Sequence, residues 1–207
     1  MKIKLIIFDL WQTLAYRDCK STSSEIIKKM KLKVSQEKFI KTFEKSIQTK
    51  KWTSKYKAYE NLCKNIGLKT TEKNVSALMN IRDKAEAKTK LYPHTIKILE
   101  ALKKQVYKIG LISNSSVFEI KQIKNKTNLL NYVDYPLFSF NVKTIKPDLK
   151  FFKKMLKITK YKPQETIIIG DKLKDDVIPP RKIKMNSVLY KDYKTLKKNL
   201  KKFDIKI

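Results

Sequence analysis

The sequence predicts an α/β fold: a parallel sheet flanked by helices and interrupted by an all-helical insertion. Three observations carry that expectation. Five short runs rich in Ile, Val, Leu and Phe end at turn residues or carboxylates, helical stripes separate the later runs, and about seventy residues near the N-terminus hold helical patterns only.

The strand-sized runs are Ile3–Phe8, Lys108–Ile112, Pro136–Phe140, Thr166–Ile169 and Ser187–Tyr190. None alternates cleanly between apolar and polar residues, which is the pattern of strands buried on both faces of a parallel sheet. Thr95, Ile98, Leu99 and Leu102 form one helical stripe between them; Phe151, Phe152, Met155 and Leu156 form another, opened by Pro147 and Asp148 as a helix start. Strands alternating with helices imply right-handed crossovers. In the lysine-rich tail, Tyr193, Leu196, Leu200 and Phe203 stand near helical spacing and predict a terminal helix packed on the core, not a free basic arm.

Between Asp18 and Lys88 the strand rhythm stops. Phe39, Ile40, Phe43 and Ile47 make one amphipathic stripe; Tyr59, Leu62, Cys63 and Ile66, ended by Gly67, make a second; Val75, Leu78 and Met79 begin a third. A simple crossover needs only about a dozen residues. The block is therefore expected to be a helical insertion lying over one end of the sheet.

Composition bounds the function. With 42% hydrophobic residues, the 207-residue chain has material for a core, which argues against disorder. The longest apolar runs are strand-sized, too short to cross a bilayer. The N-terminal run is interrupted by Asp9 with no small-residue cleavage site after it, so no signal peptide is expected. Cys19 and Cys63 have neither metal-ligand spacing nor a disulfide framework, and a cytoplasmic location is the expectation. The formal charge of +30 reads either as a polyanion-binding surface, with nucleic acid as partner, or as lysine bias on solvated faces. Lysine supplies 46 of the 49 basic residues and is spread along the chain. Phosphate and base recognition favours the planar fork of arginine, so nucleic acid is not the favoured partner. Oligomeric state is not legible.

The candidate chemistry lies at the ends of the predicted strands. Asp9 closes the first run in "IIFDLWQTL", with Thr13 four residues on. Ser113 and Asn114 close the second, Lys146 follows the third in "TIKPD", and Asp171 closes the fourth in "TIIIGDKLKDD", with Asp175 and Asp176 behind it. Open α/β sheets bind ligands at these carboxyl ends. A carboxylate, a hydroxyl, an ammonium and a further carboxylate are what phosphoryl transfer through a covalent intermediate requires. The first attacks phosphorus, a divalent cation held by hard oxygens neutralises the phosphate, and hydroxyl, amide and ammonium donors stabilise the equatorial oxygens.

In that order and spacing the residues resemble the haloacid dehalogenase superfamily, whose signature begins with a strand ending Asp-x-Asp-x-Thr. It continues with a strand ending in Ser or Thr, a lysine commonly followed by Pro-Asp, and a strand ending Gly-Asp with another acid close behind. "LYPHTIKILEALKK" at 91–104 resembles the stretch before the family's second strand, and the helical block resembles its cap. The resemblance implies a Rossmann-like core from 1–17 and 89–207, a helical cap from 18–88, and a phosphatase-like hydrolase of a small phosphorylated metabolite that uses Mg²⁺. It implies Asp9 as nucleophile and metal ligand, the backbone carbonyl of Trp11 as a second ligand, and Thr13 as a support of the loop. Ser113, with Asn114 beside it, would meet the phosphoryl group, and Lys146 would neutralise both Asp9 and phosphate. Asp171 would complete the metal site; Asp176 would act through water or by orienting Lys146. Asp175 stands where Asn is common and ranks lower.

Trp11 departs from the pattern. The family's phosphatases usually carry there an aspartate that protonates the leaving oxygen and then activates water, a role worth about 10²–10⁴-fold. Indole cannot do this. Three readings stay open: a substrate whose leaving group needs no proton, an acid borrowed from the cap or substrate, or a weakly active or non-catalytic relative that binds a polyanion. Metal-independent dehalogenases also lack that aspartate, but Gly170 and Asp171 resemble the Mg²⁺-binding version. Among the remaining residues, His94 is expected to be exposed or capping and Arg181 structural. Arg17 reads either as a surface cation or as a substrate-anion contact, and Trp52 either as packing or as pocket lining.

Overall fold

The computed structural model describes residues 2–207. The chain runs β1 (Leu5–Asp9), β2 (Ala15–Arg17), α1 (Thr22–Lys29), α2 (Gln36–Phe43), a π-helical run Glu44–Gln48, α3 (Lys55–Asn65), α4 (Glu72–Ala87) and β3 (Thr89–Leu91). It continues with α5 (Thr95–Lys104), β4 (Lys108–Ser113), α6 (Val117–Lys126), β5 (Tyr135–Phe138), α7 (Ser139–Val142) and α8 (Leu149–Thr159). Last come β6 (Thr166–Gly170), a second π-helical run Leu173–Val177, α9 (Ile178–Lys182), β7 (Asn186–Leu189) and α10 (Tyr193–Lys201).

The five apolar runs become one sheet of order β5-β4-β1-β6-β7, every neighbouring pair parallel. Their lack of polar alternation has the expected cause, since both faces are covered. Ile6, Phe8, Ile109, Leu111, Ile167 and Ile169 face a core completed by α5, α6 and α10. Leu5, Ile7, Ile112, Leu137 and Ile168 face the opposite core, completed by Phe151, Phe152 and Met155 of α8. This is the Rossmann-like layering. Strand order reverses direction at β1, so the crevice between the ends of β1 and β6 is the switch point where such sheets take ligands.

All five strands differ from the sequence reading by one or two residues at one or both ends, and two of the shifts have a visible cause. β5 stops at Phe138, because Ser139 opens α7 and Asn141 accepts the Phe138 amide at 3.2 Å. β7 begins one residue early, at Asn186, whose side-chain amide donates to the carbonyls of Gln164 and Thr166. The short β2 and β3 were not foreseen. They pair antiparallel, Ala15 opposite Leu91 and Arg17 opposite Thr89, and so tie together the two chain crossings that lead into and out of the helical block.

That block contains α1 to α4 and no strand. Its helices start at Ser21, Ser35, Ser54 and Thr71, whose side-chain oxygens each accept a backbone N–H from the first turn. Ile26, Phe39, Phe43, Ile47, Tyr59, Leu62, Val75 and Leu78 form a core separate from those of the sheet. Trp52 packs against this core, with Lys50 over its ring. α10 packs as expected, through Leu196 and Leu200. Among the described residues no helix is long and apolar enough to cross a membrane.

Candidate active site

Asp9 is the last residue of β1 and is buried. After it the chain turns at once: the Leu10 carbonyl accepts from the amides of both Leu14 and Ala15 at 2.9 Å. Gln12 takes a left-handed φ of 61°, a conformation costing a non-glycine residue about 1–2 kcal/mol. This turn aims the Asp9 carboxylate along the sheet edge. Thr13 is buried in it, and its hydroxyl has no hydrogen-bond partner among the described residues.

The Lys146 ammonium joins the end of β1 to the π-helical run after β6, donating to Asp9 Oδ1 and to Asp176 Oδ1, each at 2.5 Å. All three residues are buried. Asp176 is held from its other side by the Lys172 amide, which donates to Oδ2 at 3.1 Å. Gly170 makes that approach feasible, for a Cβ there would fall on the Asp176 carboxyl group, 2.6 Å from Oδ2. Asp175, one residue away, is half-buried and pairs with Lys172 at 3.8 Å.

Asp171 completes the cluster. Carboxylate oxygens of Asp9, Asp171 and Asp176 lie within 4.8 Å of one another. Burial pushes the Asp9 carboxyl up to about 7 against the lowering pull of Lys146, and the charges of Asp176 and Asp171 add to the rise. Asp171 is raised too, first by burial and then by Asp176. For Lys146 burial opposes the charge, but Asp176 and Asp9 outweigh it and hold the amine above its usual range. Three carboxylates around one ammonium are short of positive charge. Hard oxygen donors in that state suit a small divalent cation, which would relieve the repulsion that lifts Asp9 and Asp171.

Ser113 closes β4 fully buried, its hydroxyl 2.8 Å from that of Ser115. Asn114 spends both ends of its amide on the backbone of Lys146: Oδ1 accepts from the Lys146 N–H at 2.8 Å and Nδ2 donates to its carbonyl at 3.3 Å. Expected as a substrate contact, Asn114 thus also positions the lysine. Above these residues is a cavity of about 560 Å³, floored by Asp9, Ser113 and Lys146 and roofed by Phe39, Phe43 and Glu44 of the helical block.

Trp11 is built into this floor. Its indole N–H donates to Ser115 Oγ at 2.9 Å, and the Arg17 guanidinium lies 3.8 Å from the ring centroid. Arg17 is not a free surface cation, since its side chain is 17% exposed and pairs with Glu119 at 2.6 Å. It lines the cavity, with its charge already met by that carboxylate. His94 is neither exposed nor a side-chain cap. It stacks on Tyr193, meets the Tyr190 hydroxyl at 2.8 Å, and is held below the usual histidine range by burial. Arg181 is structural, donating from Nε to Ser187 Oγ at 2.7 Å.

Several residues at the site escaped the sequence reading. Glu119 on α6 receives Arg17, Arg82 of α4 at 2.7 Å and the Gln48 amide at 3.0 Å, so it joins the helical block to the sheet. Its capping-box partner Ser116 was visible as a Ser-x-x-Glu pattern. A second signal was the scarcity of arginine: two of only three in the chain converge on this one carboxylate, the buried pairing that the guanidinium fork favours.

A parallel sheet with a buried lysine and carboxylates on both sides of its switch point defines an α/β protein whose chemistry lies at the carboxyl edge of the strands. Residues 6–190 match the sequence profile of haloacid dehalogenase-like hydrolases, and the chain belongs to that family. The resemblance read from the motifs is thereby borne out. The glyceraldehyde 3-phosphate phosphatase of Methanocaldococcus jannaschii is 32% identical over 97 residues, 47% of this chain and 42% of that protein. The chain thus spans less than half the length of that curated relative. A HAD family enzyme from Bacteroides thetaiotaomicron has a TM-score of 0.68 at 19% identity over 92% of this chain and 95% of that one; its magnesium complex has the same score. A HAD phosphatase from Thermococcus onnurineus aligns over 100% of this chain and 99% of its own, with a TM-score of 0.61 at 21% identity. At these identities the structural likeness establishes the fold.

Proposed function

We propose that the chain is a Mg²⁺-dependent phosphohydrolase of a small phosphorylated metabolite, acting through an aspartyl-phosphate on Asp9. The observation that carries this reading is the Asp9 carboxylate, buried against Lys146 at the switch point beneath a cavity. The division of labour is a core of 1–17 and 89–207 that performs the chemistry and a cap of 18–88 that closes over it and excludes water.

In the first step an Asp9 oxygen attacks phosphorus, and the bond to the leaving oxygen breaks with its electron pair going to that oxygen. Lys146 neutralises charge on Asp9 and the phosphoryl group; Asp176 and Asn114 hold Lys146 in place. Ser113 donates to a phosphoryl oxygen, and Thr13 supports the turn. In the second step water attacks phosphorus, the Asp9–phosphorus bond breaks, and the carboxylate is restored. Mg²⁺, held by Asp9, Asp171 and the Trp11 carbonyl, with Asp176 acting through water, would supply neutralisation of the phosphate's negative charge.

The activity named for the archaeal relative points to three-carbon sugar phosphates as the first metabolites to try. Their leaving group is an alkoxide, whereas Trp11 by itself favours a leaving group that needs no proton. The test uses acetyl phosphate and p-nitrophenyl phosphate, both with good leaving groups, in the presence and absence of Mg²⁺. Wild type is expected to release phosphate only with the metal, and Asp9→Asn not at all. Equal rates for the two proteins, or indifference to the metal, would overturn the reading.

A further inference from the structure

Trp11 leaves unanswered where the leaving oxygen would find a proton, and the cap supplies a carboxyl in the right direction. Asp9 attacks from the sheet edge, and in-line displacement puts the leaving oxygen on the far side of phosphorus, toward the cap. Glu44 roofs the same cavity that Asp9, Ser113 and Lys146 floor. It opens the π-helical run that follows α2. Ile47 turns into the cap's own core, whereas Gln48, four residues after Glu44, crosses to Glu119 of the sheet domain. The face carrying positions 44 and 48 therefore looks down on the catalytic edge. Insertion of a wider turn at this place fits a run that must re-aim one side chain at a site.

The surroundings of Glu44 suit proton transfer. Glu44 lines the cavity together with Asn114, Lys146, Lys172 and Asp175. The other glutamates at this junction are committed to cations, Glu86 to Lys55 and Glu119 to Arg17 and Arg82. Burial raises the Glu44 carboxyl above its usual range, against the lowering pull of Lys172 and the Asn114 amide, so it holds a proton to higher pH than a solvated glutamic acid.

We infer that Glu44 is the general acid and base of this enzyme, a cap residue doing the work that an aspartate at position 11 would do. The inference rests on the phosphohydrolase reading above. As the bond between phosphorus and the leaving oxygen breaks, the Glu44 proton passes to that oxygen and the alcohol departs. The resulting Glu44 carboxylate takes a proton from the water that attacks the aspartyl-phosphate, and the electron pair of the breaking bond returns to Asp9. Glu44 is thereby reprotonated. Because the acid rides on the cap, proton transfer is available only when the cap is closed, and alkyl phosphates are accessible despite Trp11.

The experiment compares wild type, Glu44→Gln, Glu44→Asp and Asp9→Asn on two monoesters with Mg²⁺: p-nitrophenyl phosphate, whose aryl anion leaves unaided, and D-glyceraldehyde 3-phosphate, whose alkoxide does not. Thermal melts check folding. The expected result is a fall of about 10²-fold or more in kcat for Glu44→Gln on the sugar phosphate, with only a few-fold change on the aryl ester. Glu44→Asp should recover part of the loss. Equal losses on both esters, or no loss on either, would overturn the assignment of Glu44 alone. A wild type that hydrolyses neither ester would overturn the phosphohydrolase reading, and the Glu44 assignment with it.

Discussion

The guanidinium of Arg17 lies against the face of Trp11, 3.8 Å from the ring centroid, while the indole N–H donates to Ser115. Through Arg17 the tryptophan is connected to Glu119, and through Glu119 to Arg82 and Gln48 of the cap. The residue that replaces an acid is thus a structural member of the junction between cap and core.

Removing the ring should therefore weaken the fold. A stacked cation contributes about 0.5–2 kcal/mol and the hydrogen bond about 0.5–1.5 kcal/mol. Trp11→Asp is expected to lose about 2–3 kcal/mol in urea unfolding, and Trp11→Phe, which keeps the aromatic face, about 1 kcal/mol. With Glu44 also replaced by Gln, the Trp11→Asp protein should regain part of the alkyl phosphate rate that Glu44→Gln alone loses. Identical stability losses in the two variants would show that the ring face contributes nothing.

The carboxylate cluster predicts stabilisation by metal. Mg²⁺ binds a site that the unfolded chain lacks, so at a hundredfold excess over Kd it should add about 2.7 kcal/mol to the unfolding free energy. Asp171→Asn removes one hard donor while leaving the Lys146 bridge to Asp9 and Asp176 intact. It should keep its fold and lose most of the Mg²⁺-dependent rise in Tm. A wild-type Tm unmoved by Mg²⁺, even with orthovanadate present, would count against a working metal centre.

Gly170 offers a test of how Lys146 is held. A methyl at that position collides with the Asp176 carboxyl group. Gly170→Ala should displace Asp176, leave the ammonium with Asp9 alone, and cost about 1–3 kcal/mol, the usual range for overpacking a tight site. Phosphate release should fall in parallel. An active, fully stable variant would show that Asp176 is dispensable to the lysine.

Glu119 predicts how the junction responds to acid. Burial alone would raise its carboxyl, but Arg82 and Arg17 outweigh that, with help from the Ser116 hydrogen bonds, and hold it below its usual range. A group with a depressed folded-state pKa stabilises the protein above its unfolded value, about 4.3, and that stabilisation is lost as pH falls through the folded value. Glu119→Gln should lack this part of the acid-side slope. It should also cost about 3–5 kcal/mol at neutral pH, since the buried Arg82 and the half-buried Arg17 lose their anion. Parallel pH–stability curves for the two proteins would refute the assignment.

The sheet and the polar residues at its edge were legible because both are local. A run of four residues without a polar side chain followed by a carboxylate marks a buried strand and its end at once, as at Leu5 to Asp9 and Ile167 to Asp171. The cap's helices were legible for the same reason, through stripes such as Phe39, Phe43 and Ile47. Periodicity states which face of an element is apolar; it does not state what that face will meet. The three-residue strands β2 and β3 are too short to show a period, and only the pairing of Arg17 with Thr89 reveals them. The partners of Arg17, Gln48 and His94 are 102, 71 and 96 residues away, so no local pattern could assign them. The acid at position 44 belongs to the same class. Sequence alone determined that the loop after β1 lacks the usual proton donor. Only the packing of the cap over the sheet decided that Glu44 lines the cavity above Asp9, because that placement is fixed by shape and burial between elements far apart in the chain.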